Sequence, residues 1–464
     1  MENKQKLGLF SVVAFMLSGL LGIDALAPAA GIGPSVFGWW LLVIGLFVVP
    51  YALIVCELSA AYPGTSIYEW VLRGMGKRNA ARVSWYYWIN VPFWMPSIFL
   101  ICGGMLAELF WPEMSTWGIC SIAIVMVWAT IFVANASLDF GKIINAIGSF
   151  SKVAILLAFV IGGYLLTQDQ PLIVNEINLD TMTPSMEDTF TYAPTLIYMF
   201  LGVEIIACMG PNIQRPERNI PLGIFISLAI IIVLYGLAAF AMLIAIPEDQ
   251  LSLVAGLVQT LKILYGDSAF GQFVTIALSL LATLGLFTYL TPWVMAVSRA
   301  AAEAANDNEM PAIFAKTNKA GAPYGANMLT GIIATIALVL LGMVSGSADD
   351  LFWALFSFAN VLCFVAYIFF FVSFLRLRQK EPEIVRPFKI PGGTPIAALM
   401  ALIPAAILAI SGLLFVFPDI LSGVIDWDYS SPTVYALVIA LLVIEVSISK
   451  LQSNQKFKLA SSNG

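Results

Sequence analysis

The chain has no histidine, few charges and few cysteines, and each shortage excludes a class of function. Only 11% of the 464 residues are charged, whereas roughly a quarter are charged in a soluble domain. Without histidine the usual zinc ligand and general base are missing, so proton chemistry must use carboxylates, lysine, tyrosine or water. The five cysteines are scattered and show no disulfide or metal-binding pattern. Because the sequence also has no G-x-S-x-G motif, we expect no enzyme activity, no metal and no cofactor.

Long apolar runs dominate the sequence instead. Hydrophobic residues make up 60% of the chain and the mean hydropathy is +0.92, which indicates an integral membrane protein built of helices, each crossing the bilayer with about 20 residues. We read the first run as a span rather than a cleaved signal, because it continues to about Gly33. About twelve spans are predicted, at residues 8–33, 36–60, 84–110, 117–135, 143–167, 189–210, 221–246, 269–298, 325–345, 350–375, 394–417 and 432–450.

The loop charges predict the orientation of these spans. All but two of the 22 lysines and arginines fall on the side of the N-terminus, the exceptions being Lys262 in an outer loop and Lys152 within span 5. This bias predicts that both termini are cytoplasmic. Acidic residues collect in the outer loops, where they are either simply solvated or favour the approach of cations.

Four ionisable residues fall within spans, where each costs about 3 kcal/mol on insertion scales and is a functional candidate. They are Asp24, Lys152, Glu204 and Glu445. Glu445 lies near the cytoplasmic end of the last span and is interpreted as a residue at the protein edge. Asp24 and Glu204 share a setting, "LLGIDAL" in span 1 and "FLGVEII" in span 6. Glycine-interrupted helices at matching places in two repeats indicate a transporter binding site. Alternatively, the glycines only permit close helix packing and the acids bond to neighbours.

Three segments resemble the amino acid/polyamine/organocation transporter superfamily, including its arginine/agmatine, glutamate/γ-aminobutyrate and polyamine branches. The first, "YMFLGVEIIACMGPNIQRPERNIPLGI" (Tyr198–Ile224), is similar to the span-6 signature. The second, "PWVMAVSRAAAEAANDNEMPAIFAKTNKAGAPYGA" (Pro292–Ala326), resembles the segment from span 8 to span 9. Span 5 carries Lys152 where many members have a lysine. The resemblance covers nearly the whole chain.

The resemblance implies an all-α membrane fold of the leucine-transporter type, with spans 1 and 6 broken. Two inverted five-span repeats would occupy residues 1–167 and 168–375, and residues 376–464 would hold two further spans and a cytoplasmic tail. The cargo would bind between spans 1 and 6.

The resemblance also implies the site residues. Tyr198 and Trp293 would be aromatic walls, unless they serve ordinary helix packing, and Glu204 would be linked to protons or gating. Lys152 would take the place of a sodium ion, which predicts sodium independence. The residues expected to bind substrate are Gly22, Ile23, Asp24, Met95, Ile98, Tyr198, Gly202, Glu204, Trp293, Ser357 and Asn360.

One departure from the family pattern bears on the substrate. Amino acid members show G-S-G in span 1, where free backbone N–H groups bind a carboxylate, but this chain has Gly22-Ile23-Asp24. At an effective dielectric constant of about 20 a close charge pair is worth roughly 4 kcal/mol before desolvation, so Asp24 favours an amine. Glutamate/γ-aminobutyrate exchangers also carry an acid near this position, and protonation in a desolvated pocket would silence Asp24. Asp24 therefore does not exclude amino acid substrates.

We therefore expect a secondary transporter of a di- or polyamine or an amino acid in a bacterial cytoplasmic membrane, driven by protons or by exchange. One alternative is a permease or antiporter of neutral or acidic amino acids, and another is a channel or non-transporting nutrient receptor. The expected partners are the small-molecule substrate, protons and the lipid bilayer, with no nucleic acid, and a homodimer is left open.

Overall fold

A computed structural model of the chain describes residues 6–136, 138–169, 174–184, 192–418, 420 and 423–462. Ten of the described helices are long and apolar enough to cross a membrane. In chain order the helices are α1 (Leu9–Leu20), α2 (Leu26–Ala30), α3 (Val36–Val43), α4 (Val49–Ala61), α5 (Ile67–Met75), α6 (Lys77–Phe110), α7 (Thr116–Ala134), α8 (Leu138–Asp169), α9 (Ala193–Tyr198), α10 (Ile205–Cys208), α11 (Pro216–Ala245), α12 (Gly256–Tyr265), α13 (Ala269–Asn306), α14 (Tyr324–Gly342), α15 (Ala348–Lys380), α16 (Gly393–Val416) and α17 (Trp427–Ser462).

The predicted all-α membrane fold is confirmed. The ten long helices match ten of the twelve predicted spans, with α3 and α4 joined into one span by a π-helical turn at Ile44–Val48. The other two predicted spans, 1 and 6, are interrupted. Residues 189–191 of predicted span 6 lie outside the described residues. The division into repeats at 1–167, 168–375 and 376–464 stays a prediction.

Span 1 is broken between α1 and α2. The helix stops at Leu20, and the chain runs through Gly22 and Asp24 before α2 begins. Glycine weakens a helix because it has the most backbone freedom to lose. Pro28 lies in the first turn of α2, where its missing N–H has no intrahelical partner to lose, so it is compatible with the start of the second half-helix.

Span 6 is broken between α9 and α10, and here the backbone requires glycine. Gly202 has φ +99°, in the region that side chains of L-residues rarely adopt. A Cβ atom at this position would also lie 3.1 Å from Leu20 Cδ2, at the end of α1. The two breaks therefore lie next to each other in the bundle.

The two broken spans are also joined outside the bundle. Leu7, just before α1, forms a parallel β-bridge with Ile213, which follows α10. The Leu7 N–H donates to the Asn212 carbonyl at 2.8 Å, and the Gln214 N–H donates to the Leu7 carbonyl at 2.9 Å. We call the side of the bundle where α1 begins the N-terminal face.

A buried ion network lies near the same face. The Glu57 carboxylate on α4 pairs with Arg378 of α15 and with Arg386, 3.3 Å away, and accepts the Ile390 N–H at 2.8 Å. The Glu57 side chain is 1% exposed, and both arginine side chains are below 10% exposed. The network fixes α4, α15 and the segment before α16 together.

We expect Glu57→Gln to destabilise the protein by about 3 kcal/mol or more, because two buried guanidinium groups would lose their counter-charge. Glu445→Gln is the matched control, since Glu445 also pairs with two arginines, Arg78 and Arg82 of α6. The Glu445 side chain is 34% exposed, so we expect a loss of about 1 kcal/mol or less. Thermal unfolding of the purified proteins in detergent measures both. Equal melting of the two variants would contradict the assignment.

Candidate functional site

A small cavity lies at the two breaks, between the halves of spans 1 and 6. Its volume is about 60 Å³, enough for a few water molecules. Among the described residues that line this cavity, only Asp24 is charged. The lining residues are Leu20, Gly22, Asp24, Ala25, Tyr87, Asn90, Val91, Trp94, Tyr198, Met199, Leu201, Gly202, Tyr235, Tyr289, Trp293, Val297, Ala359, Asn360, Cys363 and Tyr367.

A short hydrogen-bond chain holds the Asp24 carboxylate. Trp94 Nε1 on α6 donates to Tyr198 Oη at 2.7 Å, and Tyr198 Oη donates to Asp24 Oδ2 at 2.6 Å. Asp24 is 2% exposed, and a buried carboxylate with one hydroxyl donor keeps further acceptor capacity. The arrangement orients the carboxylate and leaves it able to accept bonds from a cationic group.

Aromatic rings surround this carboxylate. The Trp94 ring lies edge-on to Tyr289 and Trp293 of α13, with centroids 5.7 and 5.9 Å apart. Tyr198 is edge-on to Phe356 of α15 at 4.8 Å. Ring faces attract cations, so a carboxylate enclosed by aromatic rings has the chemistry of an ammonium site.

Tyrosines from other helices satisfy the backbone at both breaks. In span 1, Tyr235 Oη of α11 accepts the Gly22 N–H at 2.7 Å and donates to the Leu20 carbonyl at 3.3 Å. In span 6, Tyr367 Oη of α15 accepts the Gly202 N–H at 3.1 Å. A broken helix in a membrane needs such partners, because a backbone group without one costs several kcal/mol in hydrocarbon.

The second acid, Glu204, accepts hydrogen bonds from three tyrosines. Tyr87 Oη donates to Glu204 Oε1 at 2.7 Å and Tyr367 Oη to the same oxygen at 2.9 Å, while Tyr51 Oη donates to Oε2. The three tyrosines come from α6, α15 and α4. Glu204 is 5% exposed. The Glu204 carboxylate therefore links three helices to the break in span 6.

A larger cavity of about 380 Å³ extends from Glu204 towards the N-terminal face. Its described lining includes Phe15, Ser66, Tyr68 and Ala300 nearest that face, and Glu204 is the one charged residue of that described lining. We call this larger cavity the vestibule and the smaller one the central cavity. Residues lining both this vestibule and the central cavity form the partition between the two spaces. They are Tyr87, Tyr289, Trp293 and Val297.

Tyr68, which lines the vestibule, donates its hydroxyl to the Glu309 carboxyl at 2.9 Å. Burial raises the pKa of the Glu309 carboxyl, while the Tyr68 bond and the Lys77 charge act in the opposite direction. This contact ties α5 to the loop after α13, beside the vestibule mouth.

On the opposite face, several contacts join separate segments of the chain. Tyr192 and Trp353 stack edge-on at 4.9 Å, and Glu248 lies directly against Gly33. The segment before α12 is anchored because Asp349 Oδ1 accepts the Val254 N–H at 2.9 Å. Among the described residues these contacts join separate segments on this face, whereas the larger cavity extends towards the N-terminal face.

Lys152 lies behind the central cavity rather than in its lining. Its Nζ donates to the Ser18 carbonyl at 2.7 Å and sits 4.2 Å from the Tyr289 ring centroid. Lys152 is 1% exposed. The ammonium thus neutralises the carbonyl end of the half-helix α1, where the helix dipole favours a cation.

The structure brings together most of the residues expected from the sequence. Gly22, Asp24, Tyr198, Gly202, Trp293 and Asn360 line the central cavity, and Glu204 lines the vestibule. Four others are buried but line neither space: Ile23, Met95, Ile98 and Ser357.

On α6 the lining stops at Trp94, with Tyr87 and Val91 preceding it on the same helix. The Trp94 indole is bonded to Tyr198, and residues further along α6 pack into the core. Four tyrosines of the site were not predicted from the sequence. Tyr235 and Tyr367 satisfy the broken backbone, and Tyr51 and Tyr87 bond to Glu204. A usable signal was present, because a tyrosine inside an apolar span needs a partner for its hydroxyl.

We expect Gly202→Ala to lower the stability of the protein. The positive φ costs a residue with a side chain about 1–3 kcal/mol, and the added Cβ would press on Leu20. Gly236→Ala on α11 is the control, because a Cβ there meets nothing within 4 Å and should be neutral or slightly stabilising. Thermal unfolding of the two purified variants in detergent measures the effect, and a Gly202→Ala protein as stable as Gly236→Ala would contradict the strained break.

Comparison with known proteins agrees with this architecture. The sequence profile of the amino acid permease family matches residues 7–444. A probable agmatine/putrescine antiporter of Lactococcus lactis is 31% identical over 99% of this chain and 97% of the relative. An uncharacterized transporter of Legionella pneumophila is 26% identical over 86% and 87%, and a glutamate/γ-aminobutyrate antiporter of Lactococcus lactis is 26% identical over 84% and 79%. The chain belongs to the amino acid permease family, within the amino acid/polyamine/organocation superfamily, and is a membrane transporter rather than an enzyme.

Proposed function

We propose that this chain transports a cationic amine, a di- or polyamine, by alternating access. The observation that carries the proposal is the Asp24 carboxylate in the central cavity, oriented by Tyr198 and enclosed by aromatic rings. A buried carboxylate attracts an ammonium group and repels a carboxylate, and the rings add cation–π attraction. The probable agmatine/putrescine antiporter among the relatives supports the same substrate class.

The two acids define a route for such a cation. Asp24 lines the central cavity and Glu204 lines the vestibule, with Tyr87, Tyr289 and Trp293 between the two spaces. In this proposal the amine binds at Asp24, and separation of the aromatic partition opens the way past Glu204. As a diamine passes, one of its ammonium groups would contact Asp24 and the other would contact Glu204.

In this proposal, amine transport is driven by protons or by exchange of substrates, and not by sodium. Lys152 Nζ already occupies the carbonyl end of α1 with a positive charge, so a second cation there would be repelled. Glu204 is the candidate proton-linked acid, because its three hydroxyl donors come from three helices and its protonation would weaken all three bonds.

The proposed location is a bacterial cytoplasmic membrane, with the N-terminal face towards the cytoplasm. The support is the concentration of lysine and arginine on that side of the spans. The vestibule would then open inward. The partners are the amine, protons and lipid, and a homodimer is left open.

The test is uptake of radiolabelled putrescine by proteoliposomes containing the full chain. We expect saturable uptake, accelerated by internal agmatine or by a pH gradient, and unchanged when sodium is replaced by potassium. Parallel assays use glutamate, γ-aminobutyrate and neutral amino acids. Uptake of amino acids without putrescine would replace the proposal by an amino acid permease. Flux without saturation or counterflow would indicate a channel, and binding without flux a receptor.

A further inference from the structure

The break in span 1 exposes two backbone groups that would suit an α-amino acid. A free N–H at such a break recognises a carboxylate, and a free carbonyl recognises an ammonium group. Two such groups here are the Gly22 N–H and the Leu20 carbonyl, which belong to residues that line the central cavity. An α-amino acid head group carries one partner for each.

Both groups are already occupied by one side chain. Tyr235 Oη accepts the Gly22 N–H at 2.7 Å and donates to the Leu20 carbonyl at 3.3 Å. The hydroxyl therefore makes the donor and acceptor contacts that a head group would make. Tyr235 is 1% exposed, and its ring packs against Phe200 with centroids 6.2 Å apart, so the hydroxyl is fixed in place.

A neighbouring carboxylate reinforces this occupancy. A Cβ built on Gly22 would lie 2.5 Å from Asp24 Oδ1, so the Asp24 carboxylate lies directly against the same peptide. A substrate carboxylate bound at the Gly22 N–H would therefore be repelled by the like charge of Asp24. The amine end of a ligand meets no such obstacle.

We propose that Tyr235 is a specificity-determining residue that fills the head-group subsite of span 1, so that the transporter selects amines lacking an α-carboxylate over the corresponding amino acids. The inference deepens the proposed function and rests on it. It assigns discrimination to a hydroxyl on α11 that bonds to the backbone of span 1, in addition to the charge of Asp24.

Putrescine and ornithine are the matched probes, because ornithine is putrescine with a carboxylate on one amine-bearing carbon. The experiment measures the affinity of each for the purified full chain and for Tyr235→Phe, by competition against radiolabelled putrescine. In the wild type we expect putrescine to bind far more tightly. In Tyr235→Phe the Gly22 N–H becomes free, and ornithine should gain about tenfold relative to putrescine, as expected for a hydrogen bond to a charged group.

Tyr367→Phe is the control, since it removes the hydroxyl that accepts the Gly202 N–H at the other break. We expect it to leave the ornithine-to-putrescine ratio unchanged, whatever it does to transport. Retained putrescine binding shows that Tyr235→Phe is folded. If that variant does not fold, Tyr235→Met also lacks the hydroxyl and gives the same comparison.

The outcomes separate this inference from the proposed function. An unchanged ratio in Tyr235→Phe, or an equal shift in Tyr367→Phe, overturns the role of Tyr235 while amine transport stands. A wild type that prefers ornithine, or binds neither probe, overturns both. The inference is supported if the preference for putrescine over ornithine falls in Tyr235→Phe and does not fall in Tyr367→Phe.

Discussion

Asp24→Asn should abolish amine transport, with kcat/KM for putrescine falling at least about 100-fold. The change keeps the shape of the side chain and an oxygen that accepts the Tyr198 hydroxyl. It removes the negative charge of the one charged residue in the described lining of the central cavity. At an effective dielectric constant of about 20 the lost ion pair is worth roughly 4 kcal/mol before desolvation. Initial uptake rates over a range of putrescine concentrations measure the loss.

Asp267→Asn is the matched control for this prediction. Asp267 lies in the exposed loop between α12 and α13, so the same chemical change there should leave uptake unaltered. If Asp24→Asn transported putrescine at the wild-type rate, the carboxylate would have no part in binding and the proposed substrate class would fall.

Glu204→Gln should cut uptake at least about tenfold, since hydrogen bonds to a charged group are worth about 1.5–3 kcal/mol each. A carboxylate can accept hydrogen bonds from all three tyrosine hydroxyls, whereas the amide nitrogen of glutamine accepts none. Glutamine also imitates the protonated acid at every pH, so the dependence of uptake on external pH should flatten. Uptake measured across a pH series, with proteoliposomes loaded at constant internal pH, gives both readouts.

Tyr51→Phe separates the charge of Glu204 from its hydrogen bonds. This variant removes one hydroxyl donor and keeps the carboxylate, so we expect a partial loss of uptake with the pH response retained. A pH response that survives in Glu204→Gln would move proton coupling to another group. A pH response lost equally in Tyr51→Phe would show that the network as a whole, rather than the acid, carries it.

Local composition carried much of the architecture. Apolar runs of sufficient length can satisfy their backbone in lipid only as helices, so about twelve helical spans could be predicted from hydropathy. The glycines of spans 1 and 6 and the family resemblance indicated that these two spans are interrupted. The break at Gly202 was also readable, because glycine tolerates its positive φ. Asp24 and Glu204 could be selected by sequence position, since a charge within a span is costly enough to require a reason.

The partners of these groups could not be read from the chain. Tyr235 contacts Gly22 across 213 positions, and Tyr367 contacts Glu204 across 163. For span 3 the family resemblance indicated Met95 and Ile98, whereas the cavity lining on α6 ends at Trp94. Helical periodicity fixes which residues share a face, but the depth at which a cavity begins depends on how neighbouring helices pack.

The sequence by itself determined that this is a helical membrane protein with two interrupted spans and an acid beside each interruption. Those features follow from hydropathy, backbone freedom and the cost of a charge in lipid, which are local properties. The tertiary structure decided which side chains satisfy the broken backbone and which face opens to the larger cavity. These depend on contacts between residues far apart in the chain, and hydrogen bonds of about 3 Å form only once the helices have packed.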